Sequence, residues 1–294
     1  MFAPLKVKNR TLEWGARTYL MGVLNLTPDS FSGDGLLASH SSEASAEAAL
    51  QQARQFIESG ADMLDVGGES TRPGAQLVNP EEEMERVIPV VRRLAAELDT
   101  IITVDTYKAS VADEALKAGA HIVNDVWGLH ADPGMAGVVA RWQAPVILMH
   151  NRSSWAHAQI IEQLGGRYVG VPYDNLLEDV KRELMESVAI ARAAGISDDH
   201  IILDPGIGFG KTTEQNLELV DHLPEIRDLG FPVLLGPSRK SFIGYTLNLP
   251  PDQRLEGTAA AVAVGIARQA DIVRVHDVAF MARVARMADA IVRR

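Results

Sequence analysis

Seven polar residues lie at the carboxyl ends of short apolar runs in this sequence, and together they could bind a flat polar ligand. Carboxylates accept hydrogen bonds, amides donate and accept them, and guanidinium or imidazole groups can bind an anion. Any one of the seven could be only a helix N-cap or a turn residue, but the set exceeds what capping requires. We therefore predict that they converge on one cleft. They are Asn25, Asp65, Asp105, Asn124, Asp204, Arg274 and His276.

The segment DPGIGFGKT (204–212) resembles a phosphate-binding P-loop at first sight. That motif needs four residues between its first glycine and the Gly-Lys pair, whereas only three separate Gly206 from Gly210. We therefore exclude a nucleotide loop. The glycines would instead allow the backbone to approach a flat ligand, with Phe209 as an apolar wall.

Two further segments carry charged or titratable groups. GPSRK (236–240) brings Ser238, Arg239 and Lys240 to the end of an apolar run. Such a basic cluster is often only a solvated face, but a position after the seventh barrel strand favours an anion site. His150 ends another run, and no second histidine lies at metal-ligand spacing, so we predict a structural role and no zinc site.

The elements that must position these residues form a repeating unit of an apolar run, a polar turn and an amphipathic helix. Near-continuous aliphatic runs are typical of parallel strands buried on both faces. Eight such units predict an α/β fold, a (β/α)8 TIM barrel, with a doubly wound open sheet as the alternative. The runs are 19–25, 62–67, 101–105, 121–125, 145–150, 201–204, 232–236 and 271–276, and the helices are 43–59, 81–98, 108–118, 134–142, 174–194, 214–222, 256–269 and 278–292.

The connections differ in a way that locates the cleft. Segments after helices are short and close with glycine, as in ESG, KAG, AAG and DLG, which is typical of helix C-caps. Segments after strands are longer and rich in polar residues, and in a barrel those loops meet at the rim that holds active sites. Before the barrel, LKVKNRTLEWG predicts a short N-terminal β-hairpin around Asn9-Arg10.

Composition excludes several classes of protein. The absence of cysteine among the 294 residues excludes disulfides and thiolate chemistry. A formal net charge of −11 argues against a general nucleic-acid binder. Because no apolar run approaches membrane-spanning length and no linker interrupts the repeats, we expect one cytoplasmic domain over residues 1–294 with no membrane partner.

Seven motifs, in order, resemble the dihydropteroate synthase family, and the resemblance runs from about residue 18 to 292. They are MGVLNLTPDSFSGDG, GADMLDVGGESTRPGA, TVDTYK, IVNDVWG, LDPGIGFGKTTEQN, LLGPSRKSFIG and GTAAAVAVGIARQADIVRVHDV. The resemblance implies a barrel that joins 6-hydroxymethyl-7,8-dihydropterin pyrophosphate to 4-aminobenzoate with the help of Mg²⁺, and releases pyrophosphate.

The resemblance also implies roles for individual residues. Asp204, Asn124, Asp105 and Lys240 would bind the polar edges of the pterin, and Val126, Met149, Gly236 and the Arg274 stem would form its walls. Asn25 would bind the pyrophosphate through Mg²⁺, together with Arg72, Arg274 and His276. Thr71, Pro73 and Phe209 would enclose 4-aminobenzoate, and Ser238 would meet its carboxylate. We expect a dissociative reaction with Asp105, Lys240, Arg274 and His276 as the catalytic residues, and sulfonamides as competitors of 4-aminobenzoate.

Two regions receive separate predictions. Loops 26–40 and 67–79 are rich in Gly, Ser and Pro, and we expect them to close over bound pyrophosphate. Gly33-Asp34-Gly35 stands where the family more often has D-G-G. Segment 151–172 departs from the family pattern, and we interpret it as a peripheral insertion with Trp155 packed over the barrel.

Three other functions compete with this one. A methyltetrahydrofolate corrinoid methyltransferase would share the pterin edge but would have no pyrophosphate to hold. A catalytically silent pterin-binding protein would lose the anion and 4-aminobenzoate groups, and a structural barrel would need none of these loops. The apolar character of helices 256–269 and 278–292 over more than one face predicts a homodimer surface, or else tighter packing between the two helices.

Overall fold

The structure is a computed structural model that describes residues 2–27, 42–71, 75–153, 158–161, 164–168 and 172–293. It begins with a hairpin of β1 (Leu5–Val7) and β2 (Arg10–Leu12). The turn lies at Lys8 and Asn9, because Val7 pairs with Arg10. The prediction of a turn around Asn9-Arg10 was therefore one residue too late; Lys8 takes the left-handed conformation, with φ of 56°.

Eight parallel strands follow and form a barrel, which confirms the predicted TIM barrel with its N-terminal hairpin. The ladder ends at β10 and β11, and Leu203 closes the barrel by donating its N–H to the Pro232 carbonyl over 2.9 Å. The strands are β3 (Tyr19–Asn25), β4 (Met63–Gly67), β5 (Ile101–Asp105), β6 (Ile122–Asp125), β7 (Val146–Met149), β10 (Ile201–Asp204), β11 (Leu234–Leu235) and β12 (Ile272–Val275). The seventh barrel strand is shorter than predicted, because only two residues of 232–236 join the regular ladder.

The helices surround this sheet close to their predicted positions. They are α1 (Ser42–Glu58), α2 (Pro80–Glu97), α3 (Ala109–Ala118), α4 (Met135–Trp142), α5 (Leu176–Ala193), α6 (Thr213–Asp221), α7 (Leu223–Arg227), α8 (Ser241–Leu247), α9 (Leu255–Ala267) and α10 (Val278–Val292). The short α7 and α8 were not predicted. Among the described residues, no helix is long and apolar enough to cross a membrane.

The glycines that close the predicted helix ends adopt the expected conformation. Gly119 follows α3 with φ of 114°, and its N–H bonds back to the carbonyls of Ala115 and Leu116. Gly60, Gly195 and Gly230 also have positive φ. The left-handed conformation costs glycine little, so these connections can remain short and leave the opposite rim for the longer loops.

The side chains of strand β5 alternate between the interior of the barrel and the core under the helices. Ile101 belongs to the apolar cluster inside the barrel, whereas Ile102 and Val104 belong to the core between sheet and helices. Successive side chains of a strand point to opposite faces, so Thr103 and Asp105 follow Ile101 inside the barrel. The polar residue that ends the strand is thus directed into the cleft at the carboxyl-end rim.

Insertion 151–172 contains a second antiparallel hairpin, of β8 (Ala158–Ile161) and β9 (Gly165–Tyr168). The interpretation of this segment as peripheral is wrong. Tyr168 on β9 is buried in an apolar cluster with Val126, Met149 and Phe209, which are residues of the predicted cleft. Trp155 lies outside the described residues.

Candidate active site

An ion-pair network connects three strands at the carboxyl-end rim. The Arg274 guanidinium on β12 donates to Asp65 on β4 over 2.5 Å and to Asp105 on β5 over 2.7 Å. Burial raises the pKa of the Asp105 carboxyl, and the Arg274 guanidinium only partly offsets this. Two carboxylates and one guanidinium therefore share a poorly solvated space, where each charge depends strongly on the others.

Asp65 lies at the centre of this network. Its side chain is fully buried, and the Asn124 amide also donates to it, over 3.2 Å. The second Asp65 carboxylate oxygen and the Asn124 carbonyl oxygen are buried, with no hydrogen-bond partner among the described residues. Such unsatisfied acceptors are rare in folded proteins, and they offer positions to which the N–H groups of a ligand could donate.

Asp204 and Lys240 lie on the neighbouring part of the rim. The Gly206 N–H donates to Asp204 over 2.7 Å, and burial raises the pKa of this carboxyl. The Lys240 ammonium donates to the Ile207 carbonyl, and burial lowers the pKa of this lysine to about 8. A buried carboxyl group and a buried lysine, whose charged forms are both disfavoured by burial, thus face the same space.

Apolar groups border these charges. Val126, Met149 and Phe209 are buried together, and Met149 pairs in register with Asp204. The Lys240 ammonium lies 4.7 Å from the centre of the Phe209 ring. An apolar wall beside a row of acids, an amide and a cation suits a flat heterocycle with polar edges.

The residues predicted for two different substrates adjoin each other at β12. The buried Ser238 hydroxyl lies 3.0 Å from the His276 ring nitrogen and accepts from the His276 backbone N–H over 3.2 Å. Arg239, by contrast, forms an ion pair with Asp277 before α10. The three polar residues of GPSRK therefore diverge, with Ser238 and Lys240 at the cleft and Arg239 paired with Asp277.

The structure brings together the described residues of the predicted pterin set and Ser238 with His276. Asn25 ends β3 beside Gly67 of β4, and Thr71 contacts the insertion hairpin. Arg72, Pro73, Gly33-Asp34-Gly35 and loop 28–41 lie outside the described residues. Asp65 was predicted as a polar strand end without any contact; its position two residues after Met63, on the same face of the strand, was the available signal.

A buried lysine donates hydrogen bonds to the backbone of the GIGFGK loop. Lys211 donates to the carbonyls of Gly206 and Phe209 over 3.0 and 2.9 Å, and contacts His150 at 2.9 Å. His150 also contacts Glu183, and burial lowers the pKa of this histidine to about 4, so it is neutral. This lysine therefore supports the loop that carries Phe209.

Comparisons with known proteins show the family to which this chain belongs. The family described as pterin binding enzyme matches residues 21–276. Dihydropteroate synthases of Bacillus subtilis and Clostridium beijerinckii are 50% and 46% identical to this chain, over 97% and 99% of it and 93% and 100% of their own lengths.

Solved structures show the same fold. A dihydropteroate synthase from Clostridium difficile, determined in the presence of pteroic acid, superposes with a TM-score of 0.85 at 47% identity and covers 96% of this chain and 99% of its own. The Yersinia pestis enzyme in a complex with a sulfonamide drug gives 0.88 at 38% identity, over 98% and 99%. This chain therefore belongs to the pterin-binding enzyme family, and within it to the dihydropteroate synthases.

Proposed function

We propose that this chain joins 6-hydroxymethyl-7,8-dihydropterin pyrophosphate to 4-aminobenzoate, forming 7,8-dihydropteroate and pyrophosphate in folate synthesis. One observation carries the proposal: Asp65, Asp105, Asn124, Asp204 and Arg274, from five separate strands, meet in one buried rim beside Lys240. The near full-length similarity to dihydropteroate synthases supports the same reaction.

The polar edges of the pterin match this rim. Asp204 would accept from the amino and ring N–H groups, and Lys240 would donate to the carbonyl oxygen. Asn124 would meet an adjacent edge, with an oxygen that has no partner among the described residues. Because a buried polar group without a partner is costly, a flat ligand lacking these donors and acceptors would be rejected.

The pyrophosphate would lie toward β12 and β3. Arg274 and His276 would supply positive charge and hydrogen bonds, with Arg72 as a further predicted contact. Asn25 offers an amide oxygen, a hard ligand that suits Mg²⁺, which accepts few protein ligands and takes the others from phosphate and water. Among the described residues no group of three His, Asp or Glu side chains could hold a metal. When bound, Mg²⁺ would reduce the negative charge of the leaving group.

The geometry supports a dissociative reaction. The bond between the exocyclic methylene and the pyrophosphate oxygen breaks first, and the pyrophosphate keeps the electron pair. The resulting cation is conjugated with the electron-rich dihydropterin, and Asp105 opposes its charge. The arylamine nitrogen, which is already a nucleophile, then forms the new C–N bond and releases its proton to water, so the protein needs no strong base. Positional isotope exchange within bound pyrophosphate, without 4-aminobenzoate, would support this order of events, and its absence in a competent complex would contradict it.

The second substrate would bind between the loops after β4 and β10. Phe209 and Thr71, with Pro73, would enclose its ring, and Ser238 would meet its carboxylate. A sulfonamide is bound to the Yersinia pestis relative, and we expect sulfonamides to compete with 4-aminobenzoate here. Competitive inhibition by a sulfonamide against 4-aminobenzoate tests this assignment; inhibition independent of the 4-aminobenzoate concentration would contradict it.

The outer face of α9 and α10 supports a homodimer. Five apolar side chains are exposed there, and Met287 is 64% exposed. They are Val264, Phe280, Met287, Ile291 and Val292. A patch of this kind is typical of a protein interface. Light scattering tests the proposal: the wild type should be a dimer and Met287→Glu a monomer, and a monomeric wild type at micromolar concentration would contradict it. The cytoplasmic location stays a prediction.

The deciding experiment measures dihydropteroate formation from the two substrates with Mg²⁺. The wild type should form product, and Asp105→Ala and Lys240→Ala should each lower kcat/KM by about 100-fold or more, because each removes a charge that faces the reacting pterin. Arg268→Met, which removes an exposed ion pair with Asp221 on the outside of the barrel, is the matched control. A wild-type enzyme that forms no product would overturn the proposed function.

A further inference from the structure

The insertion hairpin contacts both loops that would enclose 4-aminobenzoate. The Tyr168 ring lies 6.4 Å from the Phe209 ring, centre to centre, with an angle of 24° between their planes. The Tyr168 hydroxyl donates to the Thr71 carbonyl over 2.8 Å. One side chain from the segment after β7 therefore joins the loop after β4 to the loop after β10.

The burial and the protonation state of Tyr168 are consistent with a rigid link between the two loops. The side chain is only 5% exposed, in a cluster with Val126, Met149 and Phe209. Burial raises the pKa of the Tyr168 hydroxyl to about 12, so it remains a protonated donor at neutral pH. Aromatic pairs in offset or stacked contact contribute interaction energy beyond the area that they bury. The ring therefore makes one contact, with Phe209, and the hydroxyl makes another, with Thr71.

The hairpin is also held from outside the cleft. The Arg254 guanidinium donates to the Leu164 carbonyl over 2.6 Å, and the Arg167 guanidinium lies 4.3 Å from the centre of the Tyr245 ring. Both contacts are on the side of α8 and α9. These contacts hold the hairpin independently of the Tyr168 hydroxyl, so removing that oxygen would break the connection to Thr71 while the hairpin stays in place.

We propose that Tyr168 is a positioning residue for the arylamine substrate, joining Thr71 and Phe209 into one enclosed subsite through its hydroxyl and its ring. The inference rests on the proposed function and adds to it a residue from the insertion. The polar edge of the pterin site is held separately, by Asp204, Lys240 and Arg274. Loss of the Tyr168 hydroxyl should therefore act on 4-aminobenzoate and leave pterin recognition intact.

The test is steady-state kinetics in which each substrate is varied while the other is saturating. Tyr168→Phe removes the hydroxyl and with it the hydrogen bond to Thr71, and we expect the KM for 4-aminobenzoate to rise about 3- to 10-fold. The KM for the pterin pyrophosphate and kcat should change by less than about twofold, because the ion-pair network is untouched. Tyr168→Leu also removes the ring contact, and we expect a further rise of about 3- to 10-fold.

Tyr245→Phe is the matched control. It deletes the same hydroxyl from a tyrosine that contacts the same hairpin, and that hydroxyl has no hydrogen-bond partner among the described residues. Both KM values should equal those of the wild type. A second control is the double variant Tyr168→Leu with Phe209→Leu. The effect of Tyr168→Leu on the KM for 4-aminobenzoate should be smaller in the Phe209→Leu background, because the stacked ring is already absent.

Two outcomes would overturn the inference while dihydropteroate is still formed. One is a Tyr168→Phe enzyme whose KM for 4-aminobenzoate stays within twofold of the wild type. The other is an equal rise in both KM values, which would indicate general loosening of the fold. A wild type that forms no product would overturn the proposed function and this inference with it, so the two failures are distinguishable.

Discussion

The two ends of the barrel interior are built from the same strands but differ in chemistry. At the amino end, the first inward residues of the strands pack with the N-terminal hairpin into a buried apolar cluster that includes Trp14, Met63, Ile101 and Ile202. At the carboxyl end, the inward residues two to four positions later are acids, an amide and an arginine. One end therefore stabilises the fold through burial of apolar area, and the other holds charges whose partners are other charges.

The charged end is tolerated because its acids have a counterion on a distant strand. Asp65 and Asp105 are not paired locally; their counterion, Arg274, arrives from a strand 209 residues away from Asp65. The pairing of the last barrel strand, β12, with the first, β3, is what brings the charges together. A substitution at the charged end should therefore affect stability and activity together, whereas one at the apolar end should affect stability alone.

The largest effect is expected for Arg274→Met. Removing the guanidinium leaves two buried carboxylates without their counterion, which costs about 3–5 kcal/mol of unfolding free energy, and kcat/KM should fall about 100-fold or more. Urea unfolding and steady-state kinetics measure the two effects. Arg274→Lys keeps the charge but not the forked geometry, and it should recover part of the stability and little of the activity. An Arg274→Met protein as stable as the wild type would show that the network is not a structural unit.

Ile101→Ala should change only stability. It opens a cavity in the apolar end, and we expect a loss of about 2–5 kcal/mol of unfolding free energy. The kcat/KM of the folded enzyme should stay within about twofold, measured well below the unfolding temperature. A loss of activity comparable to that of Arg274→Met would show that the two ends are not separable.

The titration of Lys211 should make the unfolding free energy depend on pH, with an effect of intermediate size. Burial lowers the pKa of Lys211 to about 7, and the opposing influence of Asp204 is smaller. Between pH 7 and about 10 the unfolded chain binds this proton and the folded chain does not, so the contribution of Lys211 to stability rises with pH, by at most about 1.4 kcal/mol per unit.

Lys211→Met should remove that slope. The measurement is urea unfolding of both proteins from pH 7 to 10, and Lys240, whose pKa is also lowered, is present in both proteins and contributes to both curves. The difference in unfolding free energy between wild type and variant should change across this range. Parallel curves would contradict a buried lysine that loses its charge on folding.

The smallest effect tests a polar rim residue without a predicted contact to substrate. Thr212 caps α6 by accepting from the Gln215 N–H over 3.2 Å, and Gln215 bonds back to the Thr212 N–H. Thr212→Ala should cost about 1 kcal/mol of unfolding free energy and leave KM values unchanged, while Thr212→Ser should keep the cap and the stability. A change in KM with Thr212→Ser would place this residue in the substrate site.

Local patterns in the chain were sufficient for the barrel and for most of the cleft. Apolar runs of parallel-strand character, glycines at helix ends and polar residues at strand ends predicted which rim holds the site, because these signals depend on neighbours within a few residues. The motifs that resemble the dihydropteroate synthases added the grouping of Asp204, Asn124, Asp105 and Lys240. Their roles toward substrate stay predictions.

The contacts of Asp65 and Tyr168 depended on which distant segments of the chain come together. Asp65 is one polar strand end among several until β4 and β12 are placed on the same side of the barrel, where it binds Arg274 and Asn124 together. Tyr168 lies in a segment that carries none of the seven motifs, and its position over Phe209 follows from how the insertion hairpin folds back onto α8 and α9. Such contacts depend on strand register, barrel closure and loop packing, which a local residue pattern does not encode.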